Sequence, residues 1–254
     1  MSTESRILME KSDHVALVTI DHPPVNALNL ETAQQFEAVV NQLEADDEVR
    51  AVILTGAGEK SFSAGFDVSD AANGPAIGSL VRALWTRLDR FPKPLIAALN
   101  GHALGGGLEL ALCCHFRLAA DRPGIKIGLT ELNLGLIPGW GGTQRLARWV
   151  GHRTAVEMIL LSQVLSPQEA QGAQLVNQVV PPDQLIAQAG ELAGRLAQRP
   201  PQAMGHLLQV MAQGLYEGLP AGLAAEEAAL KAMRGGKERA QGFADFLDKD
   251  KGKG

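Results

Sequence analysis

Three consecutive glycines, residues 105–107, stand immediately before an apolar run that carries one acid, Glu109. Glycine is a poor helix residue, but a backbone that a ligand approaches closely must lack a Cβ atom. The first N–H groups of a helix have no partner within it and lie at the positive end of its dipole. A glycine turn that opens a helix therefore offers donors to an anion or a developing oxyanion. Close packing of the turn against a strand is an equally good interpretation of the glycines alone.

A second isolated acid, Glu131, follows in a segment bounded by leucines and glycines, Gly128-Leu129-Thr130-Glu131-Leu132. Acids in apolar surroundings are uncommon unless they are paired or functional. For either acid alone, a solvated or hydrogen-bonded carboxylate is the simpler interpretation. Two such acids near glycine turns favour chemistry, because burial and mutual repulsion separate the pKa values of two carboxylates around one substrate.

The elements that must position these residues alternate between strands and helices. Alternating apolar residues predict paired strands over residues 6–11 and 14–20, and short apolar runs predict buried strands over 51–55 and 95–99. The helical period predicts helices over residues 30–44, 79–90 and 143–150. Beyond residue 154 helices dominate, and Ser166-Pro167 with Glu169 predicts a capping box. We expect an α/β core over residues 1–195 and a helical segment over 196–254.

Composition excludes several classes of protein. The chain has 254 residues, a net charge of −5, and 46% apolar and 20% charged residues, a typical balance for a globular domain. The negative charge disfavours a nucleic-acid binder, and no apolar run approaches the roughly 20 residues of a membrane span. The N-terminus resembles neither a secretory nor a transit peptide, and adjacent Cys113 and Cys114 indicate reduced thiols. We expect a cytoplasmic protein without nucleic-acid or membrane partners.

Three segments together resemble the signatures of the enoyl-CoA hydratase/isomerase (crotonase) superfamily. They are SAGFD at 63–67, NGHALGGGLE at 100–109 and GLIPGWGGTQRL at 135–146, preceded by PVNAL at 24–28. The resemblance runs from about residue 6 to the C-terminus. It implies a crotonase-like (ClpP/crotonase) α/β fold, a spiral of ββα units followed by a helical C-terminal trimerisation segment. It also implies a homotrimer, or a homohexamer built as a dimer of trimers.

The resemblance further implies an acyl-CoA thioester substrate and a hydro-lyase activity. Water would add reversibly and syn to a 2-trans-enoyl-CoA, giving a 3-hydroxyacyl-CoA. By position, the main-chain amides of Phe66 and Gly106 would stabilise the enolate, while the Phe66 side chain would either narrow the acyl pocket or pack in the core. Glu109 would activate the water and Glu131 would exchange the proton at C2, although the two coupled acids could share these roles. We expect no metal and no separate cofactor, since CoA is part of the substrate.

Several residues are expected to bind CoA by the same resemblance. Phe66 to Ser69, including Asp67 and Val68, would line the pantetheine channel, and three residues would lie near the adenine: Ala27, Leu28 and Ala64. Leu230 and Lys249 of the C-terminal helices resemble positions that reach a CoA, although Lys249 is also interpreted as a solvated charge.

The chain departs from the family pattern at three places. Leu129-Thr130 replaces a common Gln-Pro pair, the connection at residues 121–124 is longer, and His115 replaces a common aspartate. The first two put the substrate length in doubt, and His115 is expected to be structural.

The resemblance leaves several alternatives open. A 3,2-enoyl-CoA isomerase needs one base at the Glu131 position and usually lacks the first acid, so the presence of both acids favours hydration. A ring-closing or decarboxylating enzyme stays open, whereas no aspartate matches a dehalogenase nucleophile. A non-catalytic CoA- or RNA-binding protein of the same fold would be expected to have lost the acids.

Overall fold

The computed structural model describes the backbone of residues 6–251 and the side chains of residues 6–248. In chain order its strands are β1 (Ile7–Ser12), β2 (Val15–Ile20), β3 (Ala27–Leu28), β4 (Ala51–Gly56), β5 (Ser61–Ser63), β6 (Gly65–Phe66), β7 (Leu95–Leu99), β8 (His102–Leu104), β9 (Phe116–Ala120), β10 (Ile127–Gly128), β11 (Val164–Leu165) and β12 (Gln178–Val180). Its α-helices are α1 (Leu30–Ala45), α2 (Gly74–Leu88), α3 (Gly106–Cys113), α4 (Gly142–Leu160), α5 (Pro167–Gly172), α6 (Leu185–Ala197), α7 (Pro201–Glu217), α8 (Leu219–Ala232) and α9 (Lys237–Lys251).

The main sheet has the strand order β1-β2-β4-β7-β9-β12. The hairpin β1–β2 is antiparallel, and each later neighbour pair in this sheet is parallel. All residues of β4 and β7 are buried, because helix α6 and strand β5 of the second sheet pack against them. The expectation of paired N-terminal strands followed by buried strands is confirmed.

A second sheet, with the order β11-β10-β8-β5, runs beside the main one. Successive turns of the chain place β4, β7 and β9 in the main sheet, and β5, β8 and β10 in the second. The chain therefore winds as a spiral of ββα units, as expected. Asn100 joins two turns of the spiral, since its side-chain amide donates to the carbonyls of Gly56 at 2.9 Å and Gly58 at 2.8 Å.

Two predicted helices differ from the structure at their ends. The helix predicted over 79–90 is α2, which begins at Gly74 with Pro75 in its first turn. Proline fits the first turn of a helix because its missing N–H would have no helical partner there. The helix predicted over 143–150 is α4, which continues to Leu160 past a kink at Gly151, where φ is 78°. The predicted Ser166–Glu169 capping box is confirmed.

Helix α3 is held at its far end by a buried cation. Every residue of α3 is buried, and Arg117 donates to the carbonyls of Cys114 at 2.6 Å and Ala111 at 3.3 Å. A cation at the C-terminus complements the helix dipole. His115, next to Arg117, accepts a hydrogen bond from the Leu95 amide at 2.9 Å, and burial lowers its pKa to about 4. This contact agrees with the structural role expected for His115.

The C-terminal helices leave the core after α6. Helices α7 and α8 pack against each other at Gly214 and Gly222, where a Cβ on Gly222 would lie 2.7 Å from the Gly214 Cα. Their outer faces expose large apolar side chains: Leu207, Met211, Leu215, Leu219, Leu223 and Leu230. Within the described part of the chain, the helices are all too short or too polar to cross a bilayer. The domain boundary at 195/196 stays a prediction; the helix that contains it, α6, ends at Ala197.

Candidate active site

Glu109 lies in the first turn of α3 with its side chain turned inward, and the residue is only 1% exposed. Its Oε1 accepts hydrogen bonds from the main-chain amides of Trp140 at 2.8 Å and Gly142 at 2.7 Å. Among the described residues, the hydrogen bonds to this carboxylate all go to Oε1. Burial raises the pKa of Glu109, while the two amides and the Arg145 charge lower it in part. The carboxylate is thus held through one oxygen and has the other free.

Glu131 opens a short 3₁₀ helix, Glu131–Leu134, that follows β10. Its side chain lies beside the glycine turn: a Cβ on Gly105 would be 3.0 Å from the Glu131 Oε1. Its Oε2 is buried and has no partner among the described residues. Burial, and then repulsion by Glu109, raise the pKa of Glu131 to about 7. A carboxyl group with this pKa can donate or accept a proton near neutral pH.

Gly106 begins α3, so its N–H has no partner within the helix. A Cβ on Gly106 would lie 2.1 Å from the Trp140 ring, and a Cβ on Gly65 would lie 2.4 Å from the Gly106 nitrogen. Gly65 also has a φ of 80°, a conformation that favours glycine. Close packing and an open amide, which the sequence left as alternatives, therefore occur at the same turn.

The amide of Phe66 lies next to this turn in β6. The following amide, of Asp67, donates to the Leu28 carbonyl of β3 at 3.1 Å. Successive amides of an extended strand point to opposite edges, so the Phe66 N–H points away from β3. The Phe66 ring is partly buried and meets the Trp140 ring edge to face, with 6.3 Å between centroids. The ring thus lines the cavity wall and also packs against Trp140, while its role toward an acyl group stays a prediction.

A cavity of about 250 Å³ joins these groups. It is lined by Phe66, Gly74, Gly78, Arg82, Gly106, Glu109, Glu131, Leu136, Ile137, Gly139 and Trp140. The two acids, the Gly106 turn and the Phe66 ring therefore face one space. Two exposed apolar side chains, Leu136 and Ile137, line its wall. Two others, Leu134 and Val68, are exposed on residues that stand within two positions of lining residues in the sequence.

The residues expected to bind CoA fall mostly on one loop cluster. Ala27 and Leu28 of β3 pair with Gly65 and Phe66 of β6, and Asp67 caps the 3₁₀ helix Val68–Asn73 by accepting from Ser69. Ala27, Ala64 and Asp67 are partly buried, whereas Val68 and Ser69 are exposed. The Leu28 side chain is completely buried, so any ligand contact would involve its main chain.

The two remaining CoA positions lie on the C-terminal helices. Leu230 is exposed on α8, and it does not line the cavity. Lys249 belongs to α9, but its side chain lies outside the described residues. Both assignments stay predictions.

Three residues behind the acids were missed from the sequence. The Trp140 amide holds Glu109 and its ring covers Gly106, while Arg145 and Asp89 form a buried ion pair at 2.6 Å. The only sequence signal is that Trp140 and Arg145 lie within the third signature segment. Among the described residues, no group of three or more His, Cys, Asp or Glu side chains could hold a metal ion.

A spiral α/β core with two buried acids facing a glycine-opened helix defines the class of the protein. The family model described as enoyl-CoA hydratase/isomerase matches residues 10–253, and the chain belongs to this family. It is 44% identical over 197 residues to a short-chain-enoyl-CoA hydratase of Clostridium acetobutylicum, with 75% of each chain covered. It is 40% identical over 195 residues to a crotonyl-CoA hydratase of Syntrophomonas wolfei, with 74% of each chain covered.

The fold agrees with solved structures over nearly the whole chain. An enoyl-CoA hydratase of Bacillus anthracis superimposes with a TM-score of 0.91, at 36% sequence identity and with 96% of each chain covered. An enoyl-CoA hydratase of Geobacillus kaustophilus gives a TM-score of 0.92 at 30% identity, covering 98% of this chain and 96% of the other. The crotonase-type fold expected from the sequence is confirmed.

Proposed function

We propose that this chain is an enoyl-CoA hydratase, which adds water reversibly and syn to a 2-trans-enoyl-CoA to form a 3-hydroxyacyl-CoA. The observation that carries the proposal is the presence of both Glu109 and Glu131 in one cavity with the Gly106 turn. An isomerase that moves one proton needs a single base, whereas hydration must place a water and deliver a proton. The hydratases among its relatives support the same reaction.

In the proposed mechanism the thioester oxygen accepts hydrogen bonds from the amides of Phe66 and Gly106. These donors are fixed by the backbone, so they stabilise the developing enolate without reorganising. Their contribution is of the order of several kcal/mol for a pair of such donors. The apposition of Gly65 and Gly106 leaves the donors unobstructed by a Cβ atom.

The two acids divide the proton transfers in this mechanism. Glu109, held at Oε1 by two amides, keeps Oε2 for the water that attacks C3. Protonated Glu131 delivers its proton to C2, and its pKa of about 7 makes the acid available at neutral pH. After attack, Glu109 holds the proton taken from the water, so the pair still carries one proton. No metal or separate cofactor is required, because the thioester itself acidifies C2.

The walls of the cavity would set the length of the acyl chain. Phe66 and Trp140 line a space of about 250 Å³, so their rings would bound the acyl group. The pantetheine arm would enter along Asp67, Val68 and Ser69, with Ala27, Leu28 and Ala64 near the adenine. The exposed apolar faces of α7 and α8 support assembly as a trimer or a hexamer, in which Leu230 and Lys249 would approach a CoA.

A side-by-side assay of short, medium and long 2-enoyl-CoA thioesters, together with a 3-enoyl-CoA, tests the proposal. Hydration is followed as the loss of ultraviolet absorbance of the conjugated thioester. Glu109→Gln should lower hydration by roughly 10²- to 10⁴-fold, the usual contribution of a general acid or base. Glu191→Gln, a change on the exposed face of α6, is the matched control.

Two results would contradict the proposal. Unchanged hydration in the Glu109→Gln variant would exclude the two-acid mechanism. A wild-type protein that shifts the double bond of the 3-enoyl-CoA but hydrates none of the 2-enoyl substrates would instead be an isomerase.

A further inference from the structure

A buried polar network lies directly behind Glu109. Arg145, on the first turn of α4, donates through Nη1 to the Trp140 carbonyl at 2.6 Å. Its Nε and Nη2 bind the two carboxylate oxygens of Asp89 at 2.8 and 2.6 Å. The side chains of Arg145 and Asp89 are only 7% and 8% exposed. One guanidinium therefore joins the end of α2 to the loop that carries the Trp140 amide.

The loop between Trp140 and Gly142 is shaped around two side chains. A Cβ on Gly141 would lie 2.0 Å from Arg145 Nη1, and a Cβ on Gly142 would lie 2.9 Å from the Glu109 Cγ. Gly141 also has a φ of 104°, which favours glycine. The loop thus presents its carbonyl to Arg145 on one side and its two amides to Glu109 on the other.

The network extends into the C-terminal helical segment. Tyr216, in the last turn of α7, donates its hydroxyl to Asp89 Oδ1 at 2.9 Å. Burial, and then the charge of Asp89, raise the pKa of Tyr216, so the hydroxyl stays protonated and keeps its donor role. The Arg148 guanidinium lies 5.0 Å from the centre of the Tyr216 ring. Elements α2, α4 and α7 therefore meet on one side of the Trp140 loop.

We propose that Arg145 is a positioning residue for Glu109, and that Asp89 and Tyr216 fix its guanidinium for this purpose. Arg145 orients the Trp140–Gly142 loop, and the loop amides place the Glu109 carboxylate where it can hold a water. The Tyr216 contact makes the end of α7 part of this support, although α7 lies outside the cavity wall. The catalytic consequence rests on the proposed hydratase function, whereas the placement of Glu109 does not.

The groups that face Glu109 come from several elements. They are Glu131 across the cavity, Arg82 in the cavity wall, Arg145 with Asp89 and Tyr216 behind it, and Cys113 one turn along α3. A change confined to the Arg145 fork alters the loop amides and leaves Glu131 and Arg82 in place.

The test uses two variants and one control. Arg145→Lys keeps the positive charge but loses the planar fork that binds Asp89 and the Trp140 carbonyl together. Tyr216→Phe keeps the ring and the ion pair and removes one hydroxyl. Arg90→Gln is the control, because Arg90 binds the adjacent Glu217 of α7 at 2.8 Å on the surface and does not touch the Trp140 loop. Each protein is examined by pH-dependent kinetics and by carbon NMR of its glutamate carboxyl groups, assigned with Glu109→Gln.

For Arg145→Lys we expect kcat to fall roughly 10- to 100-fold with KM little changed, since small displacements of a catalytic group have such effects. The pKa of Glu109 should rise, because the amide hydrogen bonds that lower it weaken. Tyr216→Phe should show a smaller fall in kcat, roughly two- to tenfold, as for one hydrogen bond. Arg90→Gln should change neither quantity.

The inference is overturned if both variants lower only the melting temperature, with kcat and the pKa of Glu109 unchanged in the folded protein. If Arg145→Lys does not fold, the kcat and the Glu109 pKa of Tyr216→Phe decide whether the network positions Glu109. If the wild-type protein hydrates no enoyl-CoA, the proposed function fails separately, and the NMR titration of Glu109 still decides whether Arg145 positions it.

Discussion

The proposed mechanism, in which Glu109 and Glu131 share one proton, predicts a bell-shaped pH dependence of kcat/KM. In that mechanism the active form carries one proton on the pair, so activity should be lost when Glu131 deprotonates and also when Glu109 is protonated. With a pKa of about 7 for Glu131, kcat/KM should fall about fivefold from pH 7 to pH 8 and about fiftyfold by pH 9. The acidic limb should lie above the ordinary pKa of a glutamate, because burial raises the pKa of Glu109.

The assay follows both directions, the hydration of crotonyl-CoA and the dehydration of 3-hydroxybutyryl-CoA. Because the overall reaction neither takes up nor releases a proton, the two profiles of kcat/KM should have the same limbs. In Glu109→Gln the repulsion from Glu109 is absent, so the pKa of Glu131 should fall and the basic limb of the residual activity should move to lower pH. A flat profile between pH 6 and 9, or a basic limb that persists unchanged in Glu131→Gln, would refute the reasoning.

Three further predictions concern the oxyanion site, the acyl pocket and the C-terminal helices. Gly65→Ala should lower kcat roughly 10²-fold, the effect of losing one oxyanion donor, because its Cβ would lie 2.4 Å from the Gly106 nitrogen. Circular dichroism would check that the variant folds, and full activity would exclude the Gly106 amide as a donor. Phe66→Ala should favour longer substrates, because the ring bounds the cavity. The kcat/KM for a longer enoyl-CoA, divided by that for a four-carbon enoyl-CoA, should rise roughly tenfold, and an unchanged ratio would assign the ring to packing alone. Glu238→Ala should lower the free energy of unfolding by about 1 kcal/mol in urea denaturation. The Glu238 carboxylate accepts hydrogen bonds from the amides of Gln202 at 3.1 Å and Ala203 at 3.2 Å, and so caps the start of α7. Equal stability would show that this cap is dispensable.

Local sequence signals predicted much of the secondary structure. The helical period located α1, a short apolar run located β7, and Ser166 with Glu169 located a capping box. These features depend on residues only a few positions apart. The start of α2 was missed because Gly74 and Gly78 are poor helix residues. Packing determines the start of this helix, since the buried face of α2 includes Ile77 and Trp85.

The candidate site was predicted unevenly. The second signature segment pointed to Gly106 and Glu109, and an isolated acid among leucines and glycines pointed to Glu131. The structure places all three around one cavity. The roles of Trp140 and Arg145 were not predicted, because the residues next to them in sequence give no signal that either one binds a distant segment. Arg145 and Asp89 are distant in sequence, and their ion pair forms only because folding brings the end of α2 to the start of α4.

The sequence by itself determined that this chain builds a spiral α/β core, carries two isolated acids beside glycine turns, and belongs with the hydratase and isomerase enzymes. The α/β alternation and the isolated acids follow from short-range patterns, whereas the spiral and the enzyme class follow from the resemblance of the signature segments to a known family. Only the tertiary structure decided which oxygen of Glu109 is held, and why the pKa of Glu131 lies near 7. Burial and the approach of a second charge set these properties, and both depend on segments that meet only when the chain has folded.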